Sequence, residues 1–348
     1  MSNSSAETFW LNAWYQGRWW LWLLWPLSAL LRGVAAMRRR QQSRTAETLA
    51  APVIIVGNIT LGGTGKTPTI IAMVRYLQTK GLKPGVLSRG YGGVAPAYPY
   101  LVTAATDVKE SGDEPLLIAM ETGCPVVVGP DRVASAKALI EEHQCDLLLS
   151  DDGLQHYRLQ RQWELCLLDG ERLWGNGLCL PAGPLRESTA RLAEVDAIIV
   201  NGERTDTSPA DSEVASRLSS AHTMTLSPNS WQCLNDGKSL DVPSFTRRFA
   251  DSVENHAVTG IGNPNRFFKT LTSLGVDCHT RAFPDHHAFK PSDLSFADNN
   301  PLLMTAKDAV KCRDFAKPDW WYLSVDASLP SAFWAQLDDF LREQALIS

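Results

Sequence analysis

Short runs of apolar residues, many of them β-branched, recur along the middle of the chain and alternate with segments of helical character. The runs cover residues 53–56, 84–88, 125–128, 146–150, 164–169 and 196–200. Uninterrupted apolar runs of this length are typical of parallel strands that are buried on both faces. The alternation over residues 53–200 therefore predicts an α/β fold with a doubly wound, mostly parallel sheet.

The pattern changes after residue 203, where the chain becomes more polar and only weakly periodic up to about residue 250. We interpret this stretch, with its polar segments 205–211 and 227–230, as a lobe boundary that carries short strands. Alternation of strands and helices resumes from Ala257 and ends in a terminal helix. These patterns predict an N-terminal segment (1–49), a core lobe (50–225) and a smaller C-terminal α/β lobe (226–348).

The N-terminal segment holds six of the twelve tryptophans of the chain, and its charge-free run covers only the 13 residues 19–31. A helix needs about 20 apolar residues to span a bilayer. We therefore expect a membrane-associated helix that lies in the interface, with Arg38, Arg39 and Arg40 on lipid phosphates. A signal peptide is not indicated, because the arginines follow the apolar run. The alternative, a helix packed on the body of the protein, is compatible with membrane docking.

The charge distribution favours a membrane partner and opposes a nucleic-acid partner. A formal net charge of −5 over 348 residues does not suit a protein that binds nucleic acid through its overall field. Residues 1–49 alone sum to +4 and the remainder to −9, so an anionic membrane surface is the first candidate for the basic segment. The seven cysteines are scattered without a C-x-x-C pair, which favours small core residues in a reducing compartment.

A glycine-rich loop, residues 62–65, follows the first apolar run and precedes Lys66, Thr67 and a helical segment. Glycines allow backbone N–H groups to approach phosphate oxygens, and a helix N-terminus favours negative charge. Lys66 can reach the β- and γ-phosphates, and Thr67 can hold Mg²⁺. The strict phosphate-loop pattern has glycine at position 60, where this chain has Thr60. The flanking strand and helix nevertheless predict a nucleotide-phosphate site rather than an ordinary tight turn.

Polar residues also follow two other predicted strands. Arg89 and Tyr91 lie in a glycine loop after the second strand, where ligands bind in open α/β sheets, although a plain loop is the alternative. Asp151 and Asp152 end the fourth strand, in the position of the carboxylate that holds Mg²⁺ in phosphate-loop enzymes. Aspartates are common in turns as well, but the upstream phosphate loop favours a metal site.

Two further clusters leave several interpretations open. Asp113 and Glu114 begin a predicted helix, where capping is the common role, and the local sequence alone does not establish catalysis. Asp285, His286 and His287 form the densest histidine cluster of the chain. A metal site, a structural histidine and an aspartate–histidine acid/base element are all compatible with this cluster.

Seven sequence blocks resemble, in their order along the chain, those of the tetraacyldisaccharide 4′-kinases of lipid A biosynthesis: VGNITLGGTGKTP, SRGYGG, GDEP, DDGLQH, LPAGPLRE, GIGNPNRFF and FPDHH. The resemblance implies ATP- and Mg²⁺-dependent phosphorylation of the 4′-hydroxyl of a lipid A disaccharide 1-phosphate. It places the enzyme at the cytosolic face of a Gram-negative inner membrane and points to no protein partner. It also implies a smaller lobe that closes over the nucleotide, joined to the core lobe by a two-stranded link near residues 225–255.

The same resemblance implies roles for individual positions. Asp113 is expected to pair with His286 as the base that takes the proton of the substrate hydroxyl, while Lys66 offsets charge on the phosphates. The expected nucleotide-binding residues are Thr60, Gly62, Gly63, Thr64, Gly65, Lys66 and Thr67. The expected metal-binding residues are Thr67, Asp151, Asp152 and Glu187. The expected substrate-positioning residues are Arg89, Tyr91, Glu114, Arg132, Gln155 and His156.

One block departs from the family pattern, and two other functions remain compatible with the residues. Relatives carry T-E-K-D-A-V where this chain has Thr305, Ala306, Lys307 and Asp308, so no role is assigned to that loop.

A membrane-docked phosphate-loop NTPase switch would share the phosphate loop, but the chain has no N-K-x-D base-specificity motif. A non-catalytic membrane scaffold would leave the phosphate loop and the aspartate pair unexplained.

Overall fold

The computed structural model describes residues 3–204, 212–249, 254–297 and 300–348. Within those ranges, thirteen strands form one sheet. The strands are β1 (Val53–Gly57), β2 (Pro84–Ser88), β3 (Tyr100–Val102), β4 (Val126–Val128), β5 (Leu147–Asp151), β6 (Trp163–Asp169), β7 (Ala197–Asn201), β8 (His222–Cys233), β9 (Ser239–Asp241), β10 (His256–Thr259), β11 (His279–Ala282), β12 (Leu302–Thr305) and β13 (Trp320–Ser328).

Eleven α-helices and four 3₁₀ helices surround the sheet in the described residues. The α-helices are α1 (Asn3–Tyr15), α2 (Trp25–Arg44), α3 (Lys66–Thr79), α4 (Val108–Ser111), α5 (Asp113–Thr122), α6 (Arg132–Glu141), α7 (Ser212–Ser219), α8 (Val242–Phe249), α9 (Pro264–Ser273), α10 (Ala306–Cys312) and α11 (Ser331–Glu343). The 3₁₀ helices are Trp19–Leu24, Thr189–Ala193, Pro291–Ala297 and Arg313–Phe315.

The strand order across the sheet is β11-β10-β12-β13-β8-β7-β6-β1-β5-β2-β4-β3, with β9 paired to β8. Neighbouring strands are parallel except for the antiparallel pairs β3–β4, β8–β13 and β8–β9. We call β1–β7 and their helices the core lobe, and β9–β12 with the paired parts of β8 and β13 the second lobe. The arrangement confirms the predicted α/β fold with a mostly parallel, doubly wound sheet.

Strand β1 shows why the sheet begins with an unbroken β-branched run. Ile54 and Val56 belong to the apolar cluster on one face of the sheet, and Val53 and Ile55 belong to the cluster on the other face. Helices α3, α5 and α11 contribute to the first cluster, and α6 and α7 contribute to the second. Full burial of one such side chain contributes about 1.5–3 kcal/mol to stability, so a polar residue at any of these positions would be costly.

The C-terminal part of the fold differs from the prediction in two ways. Helix α11, predicted within the C-terminal lobe, packs in the core lobe, where Phe333, Leu337 and Phe340 join the cluster of β1. A strand of 12 residues, β8, stands where short strands were predicted. It pairs in parallel with β7 at its start and antiparallel with β13 over the rest of its length. The polar segment 205–211 of the predicted boundary lies outside the described residues.

The N-terminal segment is fixed to the core lobe and exposes an apolar outer surface. Trp14 Nε1 donates to the Pro181 carbonyl at 3.0 Å, and Ser28 Oγ donates to the Cys179 carbonyl at 2.8 Å. Trp22 and Leu23 are 63% and 73% exposed. The 26 helical residues Trp19–Arg44 are long and apolar enough to cross a membrane by length and composition, a longer element than the 13-residue run counted in the sequence. Packing on the body and exposure to a membrane are therefore compatible here.

Candidate active site

A cavity of about 1240 Å³ opens where the carboxyl ends of the core strands meet the second lobe. Parallel strands deliver their following loops to one edge of a sheet, which is where ligands bind in such folds. The second lobe contributes Ile261, Phe267, His286 and Lys307 to the lining, and α1 contributes Trp10, Leu11 and Trp14. The core lobe contributes the phosphate-loop residues Gly62, Gly63, Thr64, Gly65, Lys66 and Thr67, together with Arg89, Tyr91, Glu114, Arg132, Asp151, Asp152, Gln155 and His156.

The phosphate loop requires glycine at the start of α3. Gly65 has a φ of 94°, and a Cβ there would lie 2.6 Å from Asn201 Nδ2. That same nitrogen donates to the Thr64 carbonyl at 3.1 Å and so holds the loop against β7. Thr64 Oγ1 is buried without a hydrogen-bond partner in the described residues, as suits a group that faces a ligand. Thr60, which the resemblance implied as a nucleotide-binding residue, does not line the cavity. It is buried and forms a β-bridge with Leu185.

Lys66 projects from the loop into a network of charged groups. Its Nζ lies 3.4 Å from Asp152 Oδ1 and donates to Asn58 Oδ1 at 3.3 Å. Arg186 Nη1 donates to both oxygens of Asp152, at 2.9 and 2.7 Å. Although burial opposes the shift, Lys66 and Arg186 lower the pKa of Asp152 to about 2. Asp152 is therefore charged at neutral pH and holds two cations beside the phosphate loop.

Asp151, the last residue of β5, is a buried carboxylate that is only partly hydrogen-bonded. It is 2% exposed, its Oδ2 accepts from Ser88 Oγ at 3.0 Å, and its Oδ1 has no hydrogen-bond partner in the described residues. Burial and the nearby Glu114 raise the pKa of Asp151 to about 7. Mg²⁺ typically takes one or two carboxylates together with phosphate oxygens and waters. Asp151 and the Thr67 hydroxyl, which line the same cavity, fit such a partial ligand set.

Arg132 has the complementary property of an unpaired cation. Its Nη2 donates to the Asp151 carbonyl at 3.2 Å, whereas Nε and Nη1 are buried without partners in the described residues. Burial lowers the pKa of Arg132 to about 10, so the guanidinium stays charged and offers donors to a phosphate. Burial, with Arg132 and Arg89, lowers the pKa of His156 to about 4. His156 is therefore neutral at physiological pH.

Glu187, which the resemblance implied as a metal ligand, is held by two neighbouring side chains. It lies outside the cavity lining, and both of its oxygens are already engaged. Tyr157 Oη donates to Oε1 at 2.5 Å, and Gln155 Nε2 donates to Oε2 at 2.9 Å. Because Gln155 itself lines the cavity, Glu187 orients a cavity residue in this structure, and its role as a metal ligand stays a prediction.

His286 of the second lobe and Asp113 of the core lobe are in contact, the pairing that the resemblance implied, and His286 lies on the cavity side of the pair. His286 Nδ1 lies 3.1 Å from both oxygens of Asp113. Asp113 is 5% exposed and absent from the cavity lining, whereas His286 lines it and packs 5.0 Å from the Tyr91 ring, centroid to centroid. The histidine therefore stands between the aspartate and the cavity, so Asp113 does not face the cavity directly.

The electrostatics of this pair follow from its burial and its charged neighbours. Burial opposes the shift, but the hydrogen bond to His286 and the charges of Lys307 and Lys311 lower the pKa of Asp113 to about 2. For His286, burial and the charge of Lys307 oppose the shift, but the hydrogen bond to Asp113 and the charges of Asp113 and Asp285 together raise its pKa. A histidine backed by a charged aspartate can accept a proton and be stabilised as the imidazolium.

Several cavity residues were not predicted from the sequence. Lys307 contacts Glu114 and Asp285 of this site, yet the departure at Ala306 left its loop without a role. Arg186 adjoins the predicted Glu187. Arg266 lies in the GIGNPNRFF block and pairs with Asp169 at 3.0 Å. Arg186 and Arg266 lie in two of the seven blocks, which were a usable signal, whereas Lys307 lies in the block that departs from the family pattern. Local sequence does not say which member of a block faces a cavity.

Comparisons with known proteins agree on one family. The family model described as tetraacyldisaccharide-1-P 4′-kinase matches residues 20–342. Similar proteins include the tetraacyldisaccharide 4′-kinase of Pseudomonas aeruginosa, 48% identical over 331 residues (94% of this chain, 95% of that one). The enzyme of the same name from Hahella chejuensis is 45% identical over 340 residues (95% and 96%). The crystal structure of LpxK from Aquifex aeolicus in complex with ATP shares the fold, with a TM-score of 0.72, 24% identity and coverage of 93% of this chain and 98% of that one.

Proposed function

The chain belongs to the tetraacyldisaccharide-1-phosphate 4′-kinase family, and on that premise we propose how its cavity carries out the reaction. The protein is an ATP-dependent kinase that phosphorylates the 4′-hydroxyl of a tetraacyldisaccharide 1-phosphate in lipid A biosynthesis. One observation carries the mechanism: the phosphate loop and the cavity-facing His286 line the same cavity. The loop holds the phosphoryl donor, and His286 with Asp113 behind it accepts the proton of the acceptor hydroxyl.

The phosphates of ATP bind along the loop, where the backbone N–H groups and the start of α3 favour negative charge. Lys66 turns from Asp152 and Asn58 toward the β- and γ-phosphates, and the unpaired donors of Arg132 take part in holding the charge. Mg²⁺ held by Asp151 and Thr67 would supply further charge neutralisation on the phosphates. Because phosphoryl transfer asks little covalent chemistry of the protein, this alignment and neutralisation account for most of the rate.

Proton transfer balances the phosphoryl transfer. The 4′-hydroxyl oxygen forms a bond to the γ-phosphorus while the bond from that phosphorus to the β,γ-bridging oxygen breaks, and ADP leaves. The hydroxyl proton passes to Nε2 of His286, and Asp113 stabilises the resulting imidazolium through Nδ1. A positioned base of this kind typically increases the rate of the chemical step about 10²–10⁴-fold. This order, with His286 in contact with the substrate, replaces the sequence-based expectation that Asp113 takes the proton itself.

We further propose that the protein works as a peripheral enzyme at the cytosolic face of the inner membrane, where its lipid substrate resides. The support is the apolar helix Trp19–Arg44, with exposed Trp22 and Leu23, and the exposed side chains of Arg38 and Arg40. Arg39, which the sequence also placed on lipid phosphates, pairs with Glu194 instead. Tryptophan rings sit well at headgroup height, and arginines pair with lipid phosphates. Trp10 and Trp14 of the N-terminal segment line the cavity. The sugar of the substrate can therefore bind in the cavity while its acyl chains extend along this segment toward the membrane.

The experiment that tests this function is transfer of labelled γ-phosphate from ATP to a detergent-dispersed tetraacyldisaccharide 1-phosphate. The expected product is a bis-phosphorylated lipid, and Lys66→Ala is expected to abolish it. Nucleotide binding without any lipid product in the unmodified protein would refute the proposed acceptor. In that case a membrane-docked NTPase switch would become the better explanation.

A further inference from the structure

Helix α10 presents two lysines, one turn apart, to the two carboxylates at the start of α5. Lys307 Nζ lies 3.0 Å from Glu114 Oε1 and 3.6 Å from Asp285 Oδ1. Lys311 Nζ lies 3.7 Å from Asp113 Oδ2 and 2.8 Å from Asp308 Oδ1. The two lysines differ in one respect, because Lys307 lines the cavity and Lys311 does not. Lys307 is thus a cation in contact with the substrate space to which neither the sequence nor the mechanism above assigns a role.

Lys307 also contacts the nitrogen that the mechanism needs. Its Nζ lies 3.4 Å from Nε2 of His286. An ammonium group has only N–H donors, so this contact requires a lone pair on Nε2 and places the ring proton on Nδ1. Nδ1 is the nitrogen that faces Asp113 at 3.1 Å, so both contacts select the same tautomer. Lys307 therefore orients His286 correctly but occupies the lone pair that must accept the substrate proton.

The charges around Lys307 indicate what can draw it away. Burial opposes the shift, but Lys307 and then Lys66 lower the pKa of Glu114, which places that carboxylate within the field of both lysines. Glu114 and Asp285, which hold Lys307 in the free enzyme, carry one negative charge each, whereas the γ-phosphate of ATP beside Lys66 carries more than one on a single group. Because electrostatic attraction grows with the charge of the anion, a phosphate bound at the loop competes with these carboxylates for Lys307.

We propose that Lys307 is a second catalytic lysine, which occupies Nε2 of His286 in the free enzyme and moves to the γ-phosphate when ATP binds. The proton acceptor then becomes available only with the phosphoryl donor in place, and Lys307 stabilises the charge on the phosphoryl group as it is transferred. The inference rests on the proposed kinase function and adds to it a coupling between donor binding and base availability.

The first test is Lys307→Met, compared with Lys307→Arg and with Lys269→Met as a control at a side chain that is 73% exposed. Loss of a donor that acts mainly in the transition state is expected to lower kcat about 100-fold with a smaller change in KM for ATP. Lys307→Arg is expected to recover part of the loss, and Lys269→Met to behave as the unmodified protein. A fall in kcat of less than about threefold would overturn the proposal.

The second test is the pH profile of kcat/KM for ATP, which reports the free enzyme. The groups around His286 are Asp113 and Glu114 from α5, Asp285 beside it, the Tyr91 ring, and Lys307 from α10. Lys311 from α10 contacts Asp113 behind the histidine. Within this set the charge of Lys307 lowers the pKa of His286 and Asp113 raises it. Removal of Lys307 should therefore raise that pKa and move the acidic limb to higher pH. An unmoved limb would overturn the proposal and leave Lys307 as a structural partner of Glu114.

The third test uses the unmodified protein and does not depend on a variant that folds. Nitrogen-15 NMR of the histidines should show the Nδ1–H tautomer for His286 without nucleotide. A non-hydrolysable ATP analogue should shift the Nε2 resonance, whereas ADP should leave it near its starting position. Equal shifts with both nucleotides would overturn the role of the γ-phosphate. Failure of the proposed function is distinct, because it would appear as absent lipid phosphorylation in the unmodified protein.

Discussion

The pairing of Asp113 with His286 leads to a sharp prediction for Asp113→Asn. The substitution keeps the shape of the side chain and an oxygen that can accept from Nδ1, but it removes the charge that stabilises the imidazolium. The pKa of Asp113 lies at about 2, against a usual value of 3.8. This difference corresponds to about 2 kcal/mol in favour of the charged form. Since imidazolium formation strengthens the same ion pair, we expect a barrier increase of about 3 kcal/mol, or about 100-fold in kcat.

The assay is transfer of labelled γ-phosphate to the lipid acceptor at saturating ATP, measured from pH 5 to pH 9. Because Asp113 raises the pKa of His286, its neutralisation should also move the acidic limb of the rate profile to lower pH. Asp339→Asn, at a side chain that is 73% exposed, is the matched control, and thermal unfolding checks that both variants are folded. Unchanged turnover in a folded Asp113→Asn protein would remove the aspartate from the mechanism.

Three further predictions concern the lobe contact, the membrane and the metal. In Gly262→Ala, the added Cβ would lie 2.9 Å from a backbone nitrogen of the phosphate loop. We therefore expect a higher KM for ATP in steady-state assays. The control Gly33→Ala, whose added Cβ would have nothing within 4 Å, should leave the KM for ATP unchanged. Replacement of Trp22 and Leu23 by serine should weaken co-sedimentation with anionic vesicles by about tenfold or more, and undiminished sedimentation would exclude this surface as the anchor. Glu187→Gln should lower kcat by loosening Gln155 without altering the Mg²⁺ concentration dependence, and an increased Mg²⁺ requirement would restore the sequence-based metal assignment.

The core strands were predictable because burial on both faces leaves an unbroken apolar run, as at positions 53–56. The length of strand β8 was not predictable from the sequence. Few of its positions are fully buried, and it contains Pro228 and Asn229, which are uncommon inside strands. Helix α11 was assigned to the wrong lobe for a different reason. Its apolar stripe, which includes Phe333 and Leu337, indicates that the helix packs on an apolar surface. Which lobe supplies that surface depends on the three-dimensional path of the chain.

The site shows the same division between chemistry and geometry. The residue types and spacing predicted a nucleotide-phosphate and metal site at the phosphate loop and Asp151, and the family resemblance implied that His286 belongs to the same site. The sequence did not predict that His286 would stand in front of Asp113, or that Glu187 would serve Gln155. Both outcomes depend on distances between residues that are far apart in the chain. Lys307 was missed because its neighbour Ala306 departs from the family pattern, although the lysine itself is retained.

The pairing of β8 with β13 has a consequence for how the protein is made in the cell. Thr225 and Ser328 are partners in that pair, so the second lobe is an insertion whose entry and exit lie side by side. Helix α11, which completes the core of the first lobe, is therefore translated only after the whole insertion. At roughly 5–20 residues per second, the interval of about 100 residues lasts on the order of 5–20 s. During that time the apolar face around Ile70 and Trp163, which Phe333 and Phe340 later cover, is open to chaperones and to aggregation.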